Sequence, residues 1–371
     1  MKKRFTKLTA LALAGVMVLG MTACGANTDP ATSTDNSDSS AKTESKSSDI
    51  SIGIVVKTAS NAHFQDIAYG AMLAGKDLGI TVKVDNTATE SDVDGQITKC
   101  ENMISSGVDA LILTPNDSSG VAQAVNAAHD AGIPFVTVDT SIVNDWGDDV
   151  SEYMPNYIGV DHEQMAYELA CQVFDQLGKK GNVVVLRGND AASSSQERTA
   201  GFERAIKEYE NITELDSQSA NYDQDTALST MSDIIQAHPD INAVLCCNDL
   251  MAVGAVSALE ENNVKVGTDG VLVAGIDGNL VALESIKDGK MYASAYDWSI
   301  LQGYYAVQQA YDLVLGKEVP ATTNTPDTII TSENVADYLP HGQELSQWKM
   351  GSALNSVSDY MTNFLKKGES M

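Results

Sequence analysis

Planar hydrogen-bonding side chains recur directly after short apolar runs in this sequence: within Lys57 to Asn61, Thr114 to Asp117 and Arg187 to Asp190, and at Asp139, Thr140, Asn248, Asp249, Asp277 and Asp297. Carboxylates, amides and guanidinium groups suit a polyhydroxylated ligand, because each hydroxyl both donates and accepts and must be paired once it is dried. At any single position, capping of the following helix explains such a residue equally well, and Asp249 in AVLCCNDL is expected to be a cap. Asp139 and Asp277 fit that role less well, since each closes a strongly apolar run, PFVTVD and LVAGID. Arg198, in SSSQERTAGFERAI, stands near the expected start of a helix, where the dipole disfavours a cation. It calls for a compensating group, either in a site or in Glu197 or another surface acid.

Other chemistry is poorly supplied. There is no GxSxG elbow and no P-loop, HEQMA at His162 lacks the second histidine of a zinc-hydrolase helix, and no nucleophile and base stand out as a pair. An enzyme is not expected. Cys100, Cys171, Cys246 and Cys247 show no CxxC spacing, and the adjacent Cys246 and Cys247 are too close for an ordinary disulfide. They read as small buried hydrophobes, so no metal and no other cofactor is expected. A net charge of −28 repels phosphate backbones and makes nucleic acid an unsuitable partner.

The elements that must position these residues alternate. Short β-branched runs (ISIGIVV from Ile50, TVKV from Thr81, ALILT from Ala110, FVTVD from Phe135, YIGV from Tyr157, NVVVLR from Asn182, AVLCC from Ala243, VLVAGI from Val271, MYASAY from Met291) are separated by segments with helical apolar spacing. Strand then helix, repeated, gives parallel sheets covered on both faces. With 371 residues, 43% hydrophobic, the chain has material for two such lobes, and nine strands exceed what one usually holds. The natural crossings lie near Tyr157 to Asp161 and Tyr296 to Ile300.

The N-terminus carries Lys2, Lys3, Arg4 and Lys7 ahead of LTALALAGVMVLGM, the pattern of a secretory signal over residues 1–23. It ends Met21-Thr22-Ala23-Cys24-Gly25, which resembles the lipobox of bacterial lipoproteins and implies lipidation at Cys24. Residues 24–48, rich in Ser, Thr, Asp and Asn, read as a flexible tether to the outer face of the bacterial cell membrane.

From Ile50 to Val335 the chain resembles the periplasmic sugar-binding protein family of the ribose and galactose type, through IGIVVKTASNAHFQDIAYGA, DALILTPNDSSGV, GIPFVTVD, YIGVDHEQMAYELA, VVVLRGNDAASSSQERTAGF, VLCCNDLMAVGAVSAL, VAGIDG and IKDGKMYASAYDWSILQG in order. The resemblance implies an α/β fold of two Rossmann-like lobes with parallel sheets joined by a multi-strand hinge, the type I periplasmic binding protein. The lobes are expected at 49–160 plus 298–330 and at 161–297 plus 331–345, with a helical extension at 346–371. It further implies an extracytoplasmic monomer that closes on a monosaccharide and hands it to an ABC transporter permease, or, alternatively, a sensor receptor signalling to a membrane kinase. Carried over by motif, the sugar-binding residues are Asn61, His63, Phe64, Asp139, Arg198, Tyr222, Asn248, Asp277 and Asp297. Departures from the ribose-type pattern fall at His63, Thr140 and Asp297, and from the galactose-type pattern at Ser194. Acidic NDWGDD, Asn144 to Asp149, lacks the ligand spacing of the galactose-type calcium loop and reads as a solvated turn. Beyond the usual family end, Leu354, Val357, Met361, Phe364 and Leu365 share one helical face, which predicts an amphipathic helix docked on its own lobe.

Overall fold

The computed structural model describes residues 49–142, 155–354 and 356–371. The expected signal peptide, Cys24, the tether and the NDWGDD turn lie outside the described residues.

In chain order the elements are β1 (Ser51–Thr58), α1 (Ala62–Leu78), β2 (Thr81–Thr87), α2 (Val93–Ser105), β3 (Ala110–Leu113), α3 (Ala122–Asp130), β4 (Phe135–Val138) and β5 (Asn156–Gly159). There follow α4 (His162–Gln176), β6 (Lys180–Arg187), α5 (Ser193–Glu208), β7 (Asn211–Ser219), α6 (Gln224–Ala237), β8 (Ala243–Cys246), α7 (Asp249–Glu261), β9 (Leu272–Ile276), α8 (Leu280–Lys287) and β10 (Ala293–Tyr296). The chain ends with α9 (Ser299–Val314), β11 (Thr322–Asn324), β12 (Thr328–Thr331), α10 (Val335–Leu345) and α11 (Asp359–Glu369). Two six-stranded sheets result, β2-β1-β3-β4-β5-β11 and β7-β6-β8-β9-β10-β12. Every pairing is parallel except β10 with β12.

The sheets form because their inner strands are apolar on both faces. In the first, Ile52, Ile54, Ile112 and Val136 pack under α1 and α9, while Val55, Leu111 and Leu113 point the other way onto α2 and α3. The helices start on side-chain caps: Asn61, Asp92, Asp161, Asp223 and Asn248 each accept a backbone N–H of the helix that follows. Helices α1 and α9 meet backbone to backbone, since a Cβ on Gly70 would stand 1.9 Å from the Ile300 carbonyl oxygen and one on Gly303 the same distance from that of Ile67.

The chain passes from the first sheet to the second after β5, returns after β10 and passes again between β11 and β12. Strands β7, β11 and β12 are edge strands absent from the sequence expectation: β7 (NITELDSQS) and β11 (TTN) are polar, and β12 (TIIT) has an apolar pair too short to stand out. Helix α5 starts four residues before Glu197, so Arg198 lies in its second turn. Cys100, Cys246 and Cys247 are buried free thiols, but Cys171 is only half-buried because it sits on the outer part of α4. The C-terminal amphipathic helix is α11, with Met361 and Phe364 buried against the chain's own core, while Leu354 and Val357 precede it. Among the described residues, no helix is long and apolar enough to cross a membrane.

Candidate functional site

The two sheets repeat one design, and the site stands where their strand ends face each other. Asp139 follows β4 and donates its N–H to the Ile158 carbonyl on β5 at 2.9 Å. Asp277 follows β9, the equivalent strand, and donates to the Ala295 carbonyl on β10 at 2.8 Å. Both take positive φ, 65° and 125°, without being glycine, as does Tyr222 at 61°. Such backbone costs on the order of 1–3 kcal/mol per residue and persists where surrounding structure enforces it. His63 and Phe64 come from the first turn of α1, Asn248 from the cap of α7, Arg198 from α5, and Asp297 from the crossing after β10.

These side chains form one buried cluster of alternating charge. His63 Nε2 lies 3.0 Å from Asp139 Oδ1, the shortest such pair among the described residues of the cluster, and Arg198 Nη1 donates a long hydrogen bond to Asp277 Oδ1 at 3.4 Å. The other unlike-charged pairs stand slightly apart. His63 Nδ1 is 3.6 Å from Asp297 and 3.8 Å from Asp277, and Lys57 Nζ is 3.9 Å from Asp139. Arg198 is 3.8 Å from Asp139, 3.6 Å from Asp297 and 3.4 Å from Asp277. His63 Nδ1 and both carboxylate oxygens of Asp297 are buried without a hydrogen-bond partner.

Burial alone would push the His63 pKa down, but Asp297, Asp277 and Asp139 outweigh it and raise it to about 10, so the ring is an imidazolium. Burial would raise Asp139, yet the charges of His63 and Lys57 hold it well below the usual carboxylate range. For Asp277 and Asp297 burial dominates and both are pushed up. His162 has the opposite fate to His63: burial and the Arg198 charge lower it to about 3. Its Nδ1 accepts from Arg198 Nε at 3.2 Å and its Nε2 donates to the Asp139 carbonyl at 2.7 Å, which fixes a neutral tautomer and aims the guanidinium.

The free space among these groups is small, about 10 Å³, and is lined by Asn61, His63, Phe64, Asp139, Arg198, Tyr222, Asn248 and Asp277. Asp297 stands behind His63 and Arg198 rather than on the wall. Two wall amides also have structural duties. Asn61 Oδ1 accepts from the His63 N–H and from Asn279 Nδ2 of the opposite lobe, both at 3.1 Å, and Asn248 Oδ1 accepts from the Met251 N–H at 2.9 Å. Asn248 is therefore the cap of α7, correcting the expectation for Asp249. Asp249 is buried and accepts from the Asn279 N–H at 2.8 Å and the Ser294 hydroxyl at 2.7 Å, because the loop after β9 folds over it.

Three further wall residues, Lys57, Glu90 and Ser194, were not assigned to the site from sequence. Glu90 follows β2, whose apolar run is too short for its end to attract notice, and it accepts from Asn61 Nδ2 at 3.2 Å. His162 was read only as half of a failed zinc motif. His63, Asp277 and Asp297 bring potential metal-ligand atoms within 4.8 Å of one another. A metal there would need a neutral imidazole and both carboxylates, and Arg198 already faces those carboxylates, at 3.4 Å for Asp277 and 3.6 Å for Asp297.

Comparison with known proteins agrees with this fold. A family model described as a periplasmic binding protein domain matches residues 52–318. A ribose import binding protein of Bacillus subtilis is 34% identical over 75% of this chain and 86% of its own. An ABC transporter periplasmic solute binding protein from Actinobacillus succinogenes, solved with bound D-allose, superposes with a TM-score of 0.73 at 32% identity, over 78% of this chain and 100% of that one. Another from Bacillus halodurans, solved with bound myo-inositol, gives 0.71 at 26% identity, over 80% and 99%.

Proposed function

The chain belongs to the periplasmic sugar-binding protein family, and from that premise we propose that it captures a monosaccharide between its lobes and delivers it to the permease of an ABC importer. The spacing of the charges supports this reading most. Apart from His63 with Asp139 and a long hydrogen bond from Arg198 to Asp277 at 3.4 Å, the unlike-charged pairs of the cluster are 3.6–3.9 Å apart, beyond direct hydrogen-bond length. A hydroxyl set between such a pair accepts from the cation and donates to the carboxylate, satisfying both. Asp139 and Asp277 supply the acceptors and Arg198, Lys57 and His63 the donors, with Asp297 holding His63 and Arg198 from behind. Phe64 and Tyr222 offer flat apolar faces for the C–H side of a sugar ring. Asn61 and Asn248 complete the wall. Since the groups come from both lobes, ligand contacts favour the closed form over an open one. Lipidation at Cys24 would keep this monomeric receptor beside the permease, on the outer face of the membrane.

Calorimetric titration with D-ribose, D-allose, D-arabinose and myo-inositol tests the reading, with Arg198→Ala as the diagnostic variant. A lost guanidinium forfeits two charge-assisted hydrogen bonds, about 3 kcal/mol or more, which weakens binding about a hundredfold or more. The variant should still melt cooperatively. An unchanged dissociation constant, or no binding of any polyhydroxylated ligand by the wild type, would overturn the proposal.

A further inference from the structure

The residues after β12 lie beyond the 52–318 match, and they touch both lobes at once. Helix α10 continues from the edge strand of the second sheet and packs on α8, where a Cβ on Gly342 would stand 3.1 Å from the Leu280 Cβ. Its other side reaches α1 of the first lobe. His341 Nε2 lies 3.1 Å from Asp66 Oδ2, both side chains being buried, and the Ser299 hydroxyl at the start of α9 donates to the same oxygen at 3.4 Å. One turn further along α1, Tyr69 lies beside Glu344 and meets the Trp348 ring edge to face at 5.3 Å.

Helix α11 then lies on the hinge itself. Phe364 stacks on His341 at 4.6 Å and on Trp298 at 4.7 Å. Trp298 is the residue of the β10 to α9 crossing, fully buried and with φ of 51°, and its indole N–H donates to Thr328 Oγ1 at 3.1 Å, where the β11 to β12 crossing ends. Gly368 is pressed so close that a Cβ there would meet Trp298 at 2.4 Å and Leu301 at 2.5 Å. Two of the three crossings are thus clamped by one helix.

We propose that helices α10 and α11 form a strap that holds the lobes closed, through the contacts of α10 with Asp66 and Tyr69 and the packing of α11 on Trp298. Rotation about the crossings would draw α1 away from α8, and α10 cannot follow both. Opening therefore breaks the His341–Asp66 pair and the Tyr69–Trp348 contact, and the strap shifts the open and closed populations whatever ligand the cleft takes.

The test needs no ligand, so its failure is separable from failure of the sugar assignment. In the full chain with Cys171→Ser, spin labels at Ser91→Cys and Asp225→Cys, exposed positions on opposite lobes, report their separation by double electron–electron resonance. The unstrapped variants are Asp66→Asn, which keeps the side-chain shape, and Trp348→Ala, at a half-buried position. The parent should show mainly the short, closed distance, and each variant should shift the distribution toward a longer one. A parent already at the long distance, or folded variants whose distribution matches the parent's, would overturn the strap.

Discussion

Two buried histidines beside Asp139 carry opposite charge states, and this makes the stability of the protein depend on pH in a separable way. His162 is held neutral, its pKa lowered from 6.5 to about 3 by burial and by Arg198. Its contribution is fully present above 6.5 and is lost as pH falls, because the unfolded chain takes up a proton that the folded one refuses. His63 is held protonated, raised from 6.5 to about 10. Its contribution is fully present below 6.5 and is lost as pH rises toward 10. One pKa unit corresponds to about 1.4 kcal/mol, so each histidine should cost about 2 kcal/mol at 1.5 units from 6.5, near pH 5 for His162 and near pH 8 for His63. Urea unfolding of the wild type and His162→Asn near pH 5, 6.5 and 8 reads the first term as a difference between curves, whereas replacing His63 would also release the carboxylates of Asp139, Asp277 and Asp297 that it holds down. The gap between wild type and His162→Asn should narrow by about 2 kcal/mol from pH 6.5 to 5 and stay constant above. Parallel stability profiles for wild type and His162→Asn below pH 6.5 would mean that this imidazole is hydrated in the native state, and the geometry argued for Arg198 would fall with it.

Two further outcomes follow from single atoms. Gly303→Ala places a Cβ against the Ile67 carbonyl, so α1 and α9 must separate; the expected loss is about 1–3 kcal/mol, seen as a lower melting temperature, and an unchanged midpoint would contradict the close approach. Cys24→Ser removes the proposed acylation site, and the chain should move from the membrane fraction to the soluble one on cell fractionation; continued sedimentation with membranes would refute the anchor.

Much of this architecture is legible in the sequence because the inner strands advertise themselves. PFVTVD and LVAGID are buried on both faces and end in a carboxylate, and the structure finds Asp139 and Asp277 at equivalent positions of two repeated sheets. The edges are not legible. β7 alternates polar residues with few apolar ones, and β11 and β12 are three and four residues long, held by neighbours rather than by their own composition. Glu90 escaped for the same reason, since its strand has a weak apolar signature. His162 escaped because its role is relational: it positions Arg198 through one nitrogen and reads the backbone of Asp139 through the other, and no spacing in the sequence encodes that pairing. Asp249 and Asn248 are adjacent polar residues after one strand, and only the fold of the loop after β9 decides which of them caps the helix and which is buried beneath Asn279.

The charge balance of the cluster bears on what the cleft accepts. Asp139, Asp277, Asp297 and Glu90 are gathered within reach of Arg198, Lys57 and His63, and the proton on His63 is what brings the two sets close to parity. On the proposed function, a neutral polyol entering such a site exchanges water for protein partners without changing the sum, and it finds donors and acceptors side by side, with Phe64 and Tyr222 as apolar faces. An anionic ligand meets carboxylates that Arg198 and Lys57 have already been used to offset, and a cationic one competes with the imidazolium for the same oxygens of Asp277 and Asp297. Internal pairing of the charges therefore leaves hydrogen-bond direction, rather than net attraction, as the means of recognition. On that reading the lobes must close: in water the gaps of 3.6–3.9 Å would be bridged by solvent, and only a dried cleft makes each hydroxyl of a ligand count.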